Sequence, residues 1–296
     1  MTGMPRRYYS FCLLLLLLGG GLLYRLWLPL SPSFSSEGMN GNTARGAYLA
    51  RISGCIACHT DIDSGGKFLA GGKPLTTPFG DFRAPNLTSD PKHGIGAWTF
   101  QQFSTALREG ISPEGKPYYP AFPYTFYEKF SDQDVADLWV AFQTVPPVAE
   151  PDPEQSIMFP FNFREGLKLW RAMFFSPSAS VANSASVDQL NRGKFLVEVA
   201  AHCGACHTPR NLFGALNSQE TFAGGYDANN NKVPAITAAN LKENGWTEDD
   251  LAYALQTGIK HDGDVFGGSM SEVVEHSTGY MSWNDLKAVA QYLLTP

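Results

Sequence analysis

Basic residues are scarce in this 296-residue chain: 22 Lys and Arg stand against 28 Asp and Glu, for a net charge of −6. No basic stripe interleaved with stacking aromatics is present, which excludes a nucleic-acid binder. Cysteine is scarcer still, at five. Cys12 lies in an apolar leader and the other four form two Cys-x-x-Cys pairs, so none remains for a disulfide framework. No nucleotide, flavin or molybdenum motif occurs, which argues against direct oxidation of an organic substrate. Hydrolytic chemistry is not signalled either. The adjacent carboxylates Asp249 and Asp250 open a helix and read as solvated charges at its start. No catalytic residue is assigned.

What is present begins with an address. Arg6 and Arg7 precede an apolar run from Phe11 to Leu30, interrupted by Arg25 and Pro29. The run has about the 20 residues that cross a bilayer, and arginines ahead of it place the N-terminus inside and the rest outside. We read residues 1–38 as a membrane anchor, with Arg25 snorkelling to the outer headgroups. A cleaved secretory signal is the alternative; residues Ser31 to Ser36 offer no small-residue cleavage site of the usual kind. Either way the chain is exported, which sets it on the periplasmic side of the inner membrane.

The rest is a repeat. Residues 39–147 form the first copy, 148–186 a connector and 187–296 the second copy. Each copy opens with a short helical stretch, Arg45-Gly46-Ala47-Tyr48-Leu49 or Arg192-Gly193-Lys194-Phe195-Leu196. Trp98-Thr99 and Trp246-Thr247 each start an amphipathic helix, with Phe103 and Leu107, or Leu251 and Leu255, on one face. Both stop at a glycine, Gly110 or Gly258, suited to a cap. Ser131-x-x-Asp134 and Ser282-x-x-Asp285 then signal a closing helix. The connector opens on Pro146, Pro147, Pro151 and Pro153, and its middle, Ile157 to Phe175, is dense in Phe, Trp and Met. It either packs back on the first copy or offers a docking surface to a partner or to lipid.

Both Cys-x-x-Cys pairs run straight into a histidine: Cys55, Cys58 and His59, then Cys203, Cys206 and His207. This is the attachment signal for haem c, in which two thiols add to the porphyrin vinyl groups and the histidine ligates iron. One helical turn puts both sulfurs and the imidazole on one side. A thioredoxin-like dithiol needs a βαβ setting, and zinc needs two further ligands near each pair; neither is apparent. Two covalently attached haem c groups are expected. A liganding histidine also donates its second N–H to a carbonyl, for His207 that of Pro234 or Ala235.

Electron-transfer cytochromes c commonly complete iron with methionine. In the second copy Met270 fills that role, on a loop ahead of the last helix, while Met281 at the helix entrance reads as core. Met270 stands 63 residues after His207, and the residue 63 after His59 is Phe122, which cannot coordinate iron. For the first haem three outcomes are open: ligation by Met158, ligation by His93, or a vacant sixth position shielded by Phe122.

These phrases carry a family resemblance. The first copy, through Arg45-Gly46-Ala47-Tyr48-Leu49-Ala50, Cys55-Ile56-Ala57-Cys58-His59-Thr60, Thr77-Pro78-Phe79-Gly80, Pro85-Asn86-Leu87-Thr88, Gly94-Ile95-Gly96-Ala97-Trp98 and Tyr119-Pro120-Ala121-Phe122-Pro123-Tyr124, resembles the membrane-bound multihaem cytochrome c subunits of bacterial alcohol, gluconate and related dehydrogenases. The second copy is similar to a later domain of the same group through Gly268-Ser269-Met270-Ser271-Glu272-Val273-Val274 and Glu275-His276-Ser277. The resemblance implies an all-α chain of two tandem class I cytochrome c domains behind the anchor. It implies electron transfer from a membrane-bound dehydrogenase toward a respiratory acceptor: quinone, a soluble cytochrome or a terminal oxidase. The group's typical member has three haem domains and a Met where Phe122 stands. A haem enzyme, or a protein binding gas or peroxide at an open first haem, is the alternative function.

Overall fold

The computed structural model describes residues 40–176, 188–227 and 230–296, with a few positions between 19 and 30. The anchor expected over residues 1–38 lies almost wholly outside them, as does Cys12. Among the described residues no helix is long and apolar enough to cross a membrane.

The first helical set comprises α1 (Thr43–Ile52), α2 (Cys55–His59), α3 (Phe100–Glu109), α4 (Tyr124–Tyr127) and α5 (Asp132–Gln143). The connector contributes α6 (Leu167–Phe174). The second set comprises α7 (Gln189–Phe195), α8 (Gly204–His207), α9 (Ala238–Glu243), α10 (Glu248–Thr257), α11 (Ser269–His276) and α12 (Trp283–Leu294). The expected start signals work as read. Thr99 and Gln102 close a capping box on α3, and Ser131 and Asp134 close another on α5. Thr247 and Ser282 accept the backbone N–H groups of Asp250 and Asp285 at the heads of α10 and α12. Gly110 and Gly258 end α3 and α10 in the left-handed conformation, which glycine adopts without a Cβ clash.

The all-α expectation is met in the helices and corrected by short strands. β1 (Pro74–Thr77) and β2 (Gly80–Arg83) form an antiparallel hairpin, and β3 (Ser156–Ile157) of the connector adds to β2, pairing Gly80 with Ile157. A Cβ on Gly80 would lie 2.3 Å from the Ser156 carbonyl oxygen, so glycine admits the third strand. In the second set β4 (Gly225–Tyr226) and β5 (Lys232–Val233) are the strands that pair among the described residues. Periodicity did not reveal these strands because each is only two to four residues long.

In each set the first helix crosses the last at a glycine. A Cβ on Gly46 would fall 1.9 Å from the Asp137 carbonyl oxygen, and one on Gly193 2.1 Å from that of Ala288. An arginine beside each glycine locks the crossing. Arg45 bonds both Asp134 and Asp137, and Arg192 donates to Asp285 at 2.7 and 2.8 Å. The second copy has one more residue than the first between this arginine and its first motif cysteine. A π turn over Leu196–Ala200 absorbs the extra residue and keeps the motif in register.

The two sets share one apolar core and clasp each other reciprocally. Tyr48 of α1 donates to Asp285 Oδ2 at 2.6 Å and accepts the Ser282 N–H, while Ser277 donates to the Ile52 carbonyl at 2.8 Å. In return, Phe195 of α7 meets Phe130 with ring centroids 6.0 Å apart, and the His202 ring lies against Phe126 and Tyr127. Phe130 and Phe195 are fully buried, each contributing about 1.5–3 kcal/mol of apolar burial.

Asp285 joins the helix crossing to the clasp. Burial opposes its ionisation, but hydrogen bonds from Arg192 and Tyr48 outweigh that and hold its carboxyl below the usual carboxylate range. A depressed carboxyl stabilises the fold above its unfolded pKa of about 3.9, and the contribution is lost as pH falls through the folded value. Asp285→Asn is expected to cost about 2 kcal/mol at neutral pH. It should also flatten the acid limb of the stability curve. Denaturant unfolding at several pH values checks this, and an acid limb as steep as the parent's contradicts it.

Candidate haem-binding turns

α2 and α8 are single helical turns, the geometry the motif requires. In the first, Gly54 enters in the left-handed conformation, and in the second Cys203 caps the turn. The backbone is packed close behind the first turn: a Cβ on Gly72 would lie 1.8 Å from the Cys58 carbonyl oxygen. Glycine is required there for the loop to pass.

The histidines are fixed alike. His59 Nδ1 lies 2.7 Å from the Pro85 carbonyl oxygen, and His207 Nδ1 lies 2.8 Å from that of Pro234. A carbonyl only accepts, so Nδ1 carries the proton and donates, leaving the Nε2 lone pair for a metal. Burial lowers both imidazole pKa values, that of His59 to about 4, against the opposing carbonyl bonds. Both rings are neutral at physiological pH, the form that ligates iron. Of the two acceptors suggested for His207, Pro234 is the one used. The acceptor for His59 was not foreseen, although the intervals to the two prolines, 26 and 27 residues, nearly match.

The thiols argue against a reactive dithiol. Burial pushes Cys55 and Cys203 up to about 12 and raises Cys58 and Cys206 as well. Cys58 keeps an exposed edge, but the protein around its other sides still disfavours a thiolate. Nucleophilic dithiols are tuned the opposite way. Among the described residues, no three His, Cys, Asp or Glu side chains gather as a metal cluster. Four thiols, two neutral imidazoles with free Nε2 atoms and glycine-lined backbone together fit covalently held haem.

Met270 and Phe122 hold matching places. Phe266 N–H donates to the Gly258 carbonyl at 2.8 Å and Tyr118 N–H to the Gly110 carbonyl at 2.7 Å. Four residues on from these bonds come Met270 and Phe122. Met270 sits in the first turn of α11, a helix that had been read as loop because Gly267-Gly268 precedes it. Met281 is 4% exposed, a core residue as expected. Phe122 lies within 6.0–6.3 Å, centroid to centroid, of Tyr118, Tyr124 and Tyr127. His93 lies on the loop that also carries Pro85, its backbone N–H held by Asp90 at 2.7 Å. Met158 follows β3 with an exposed side chain, its N–H bonded to the Phe79 carbonyl.

The two turns are neighbours. α11 packs beside α2, and Lys73 bridges Asp63 at 2.8 Å and Glu272 of α11 at 3.1 Å. The Cys58 and Cys206 sulfurs are near enough for charge on one to raise the thiol pKa of the other.

Paired Cys-x-x-Cys-His turns with carbonyl-anchored histidines, set in mainly helical surroundings, define a dihaem c-type cytochrome. No family model matches the chain. Individual proteins do. It is 39% identical over 295 residues, 97% of each chain, to a dihaem cytochrome c-type protein of Cereibacter sphaeroides. It is 40% identical over 253 residues to the fructose dehydrogenase cytochrome subunit of Gluconobacter japonicus, covering 84% of this chain and 51% of that one. With the gluconate 2-dehydrogenase cytochrome c subunit of Pantoea cypripedii the identity is 38% over 262 residues, 84% of this chain and 58% of the relative. The chain thus spans nearly all of the dihaem protein and little more than half of these dehydrogenase subunits. It belongs to this family of multihaem c-type cytochromes, carries two covalently bound haem c groups and serves electron transfer.

Proposed function

We propose that the protein carries electrons from a membrane-bound dehydrogenase to a respiratory acceptor (quinone, a soluble cytochrome or a terminal oxidase) while anchored to the inner membrane through residues 1–38. The haem domains, residues 39–147 and 187–296, face the periplasm. Cys55 and Cys58 hold the first haem, with His59 on its iron; Cys203 and Cys206 hold the second, with His207 and Met270 on its iron. The repeated Nδ1–H···O=C bond is the observation that carries this reading, because it aims a free Nε2 from each buried or half-buried ring. Haem supplies a one-electron couple. The chain's own residues attach it, orient the proximal rings, and tune the iron through a thioether at Met270. The dehydrogenase partner is supported by relatives named as dehydrogenase cytochrome subunits.

Attachment is tested by mass. The mature chain is expected to carry the mass of two haems after denaturation, and Cys203→Ala/Cys206→Ala that of one, with haem-dependent peroxidase stain retained on a gel. A mature chain without bound haem overturns the assignment.

Phe122 favours a second reading for the first haem. With aromatic rings around the place that Met270 takes in the other copy, the sixth position at the first iron is open and shielded, a site for a small neutral gas or for peroxide. Met158 and His93 are the rival ligands. The reduced protein is expected to shift its spectrum with carbon monoxide by one haem equivalent, and Met270→Ala by two. A fully low-spin spectrum unmoved by carbon monoxide sinks the vacancy, and Met158→Ala and His93→Ala then identify the ligand.

A further inference from the structure

In the connector two arginines point toward the protein while several large apolar side chains are left exposed. Arg164 turns inward to donate from Nε to the Pro117 carbonyl at 2.7 Å and lies over the Tyr118 ring. Arg171 likewise bonds the Glu109 carbonyl and lies over the rings of Tyr124 and Phe175, 5.3 and 4.7 Å from their centroids. Phe161 and Phe175 pack on Phe79 and Tyr124, but other apolar side chains are exposed. Phe159 is 86% exposed, Met173 61% and Phe163 53%, and Leu169 stands one helical turn from Met173 on the same side of α6. Four large apolar side chains exposed between Phe159 and Met173 of one connector are more than a water-facing segment commonly leaves open.

The course of the chain indicates what covers these side chains. The last residues of the apolar run are tied beside α6: Lys168 donates from Nζ to the Leu28 carbonyl at 2.5 Å, and Leu30 N–H donates to the Gly115 carbonyl of the first set at 2.9 Å. If the run crosses the bilayer, as proposed above, the connector stands where it leaves the membrane. Aromatic, methionine and lysine side chains are the composition of an interfacial segment. We propose that the exposed connector side chains Phe159, Phe163, Leu169 and Met173 lie in the headgroup boundary of the bilayer, beside the N-terminal run, and fix the orientation of the first haem domain over the membrane. The inference rests on the anchor reading, and its test separates the two.

The test uses the full holoprotein with Cys12→Ser, spin-labelled at Phe159→Cys, Met173→Cys or, as a control on the exposed surface of the second set, Glu243→Cys. It is reconstituted in phosphatidylethanolamine–phosphatidylglycerol nanodiscs, and collisions of the label with oxygen and with a water-soluble nickel chelate are compared. The oxygen-to-nickel ratio at 159 and 173 is expected to be several-fold above that at 243. Equal ratios at all three positions overturn the proposal. So does a nickel-accessible label that becomes shielded only when the dehydrogenase is added, which assigns the face to a protein partner. Mass spectrometry of the mature N-terminus reads the anchor separately. A cleaved run with lipid-buried labels retains the interfacial face without the anchor; a retained run with nickel-accessible labels retains the anchor without the face.

Discussion

Close contact between backbones at two glycines organises this molecule. At Gly46 and Gly193 the opening helix of each copy lies so near the closing helix that a single methyl group would strike a carbonyl oxygen. The crossing sets where α1 and α7 end, hence where the following Cys-x-x-Cys-His turns begin. The arginine beside each glycine and the aspartates opposite add polar specificity to a contact too tight for side chains. Tyr48 then extends one of these polar locks to the other copy, so that the packing within a domain and the packing between domains share Asp285.

The copies have diverged around this common frame. The first has a three-stranded sheet closed by the connector, whereas the second has only a two-stranded one. The first presents Phe122 where the second presents Met270. An aromatic ring cannot bind iron, and a thioether raises the potential of the iron it binds. With Met270 on the second iron, as proposed, the two sites would be chemically unequal and give an electron carrier a preferred resting place for charge. The interface puts α11, which bears Met270, against α2 of the other copy, so the two sites share a wall.

Much of this was legible in the sequence because it is encoded locally. Capping residues lie three positions from the N–H groups they accept, and the cysteines and histidine of a haem turn lie within five consecutive residues. The need to satisfy a second ring nitrogen predicted a carbonyl acceptor for His207, with Pro234 and Ala235 as the two candidates, and the structure selects Pro234. The strands escaped notice because each is only two to four residues long, too short for a periodic trace, and β3 in addition pairs with β2 across more than 70 positions. The clasp escaped for the second of these reasons: Tyr48 and Asp285 are 237 residues apart. The π turn was marked by a one-residue difference between the repeats, and only the coordinates show how the helix takes it up. The connector's composition raised two readings, packing and docking, and packing is what the contacts show. Its arginines, β3, Phe161 and Phe175 pack back on the first copy while Phe159 and Phe163 are exposed.

The account centres on two haem turns held side by side across the clasp. Circular dichroism in the Soret region reports this directly, because two haems close together couple excitonically. A bisignate couplet is expected in the parent and is expected to disappear in Cys55→Ala/Cys58→Ala and in Cys203→Ala/Cys206→Ala, each of which retains a single haem. A parent spectrum equal to the sum of the two single-haem spectra would contradict it.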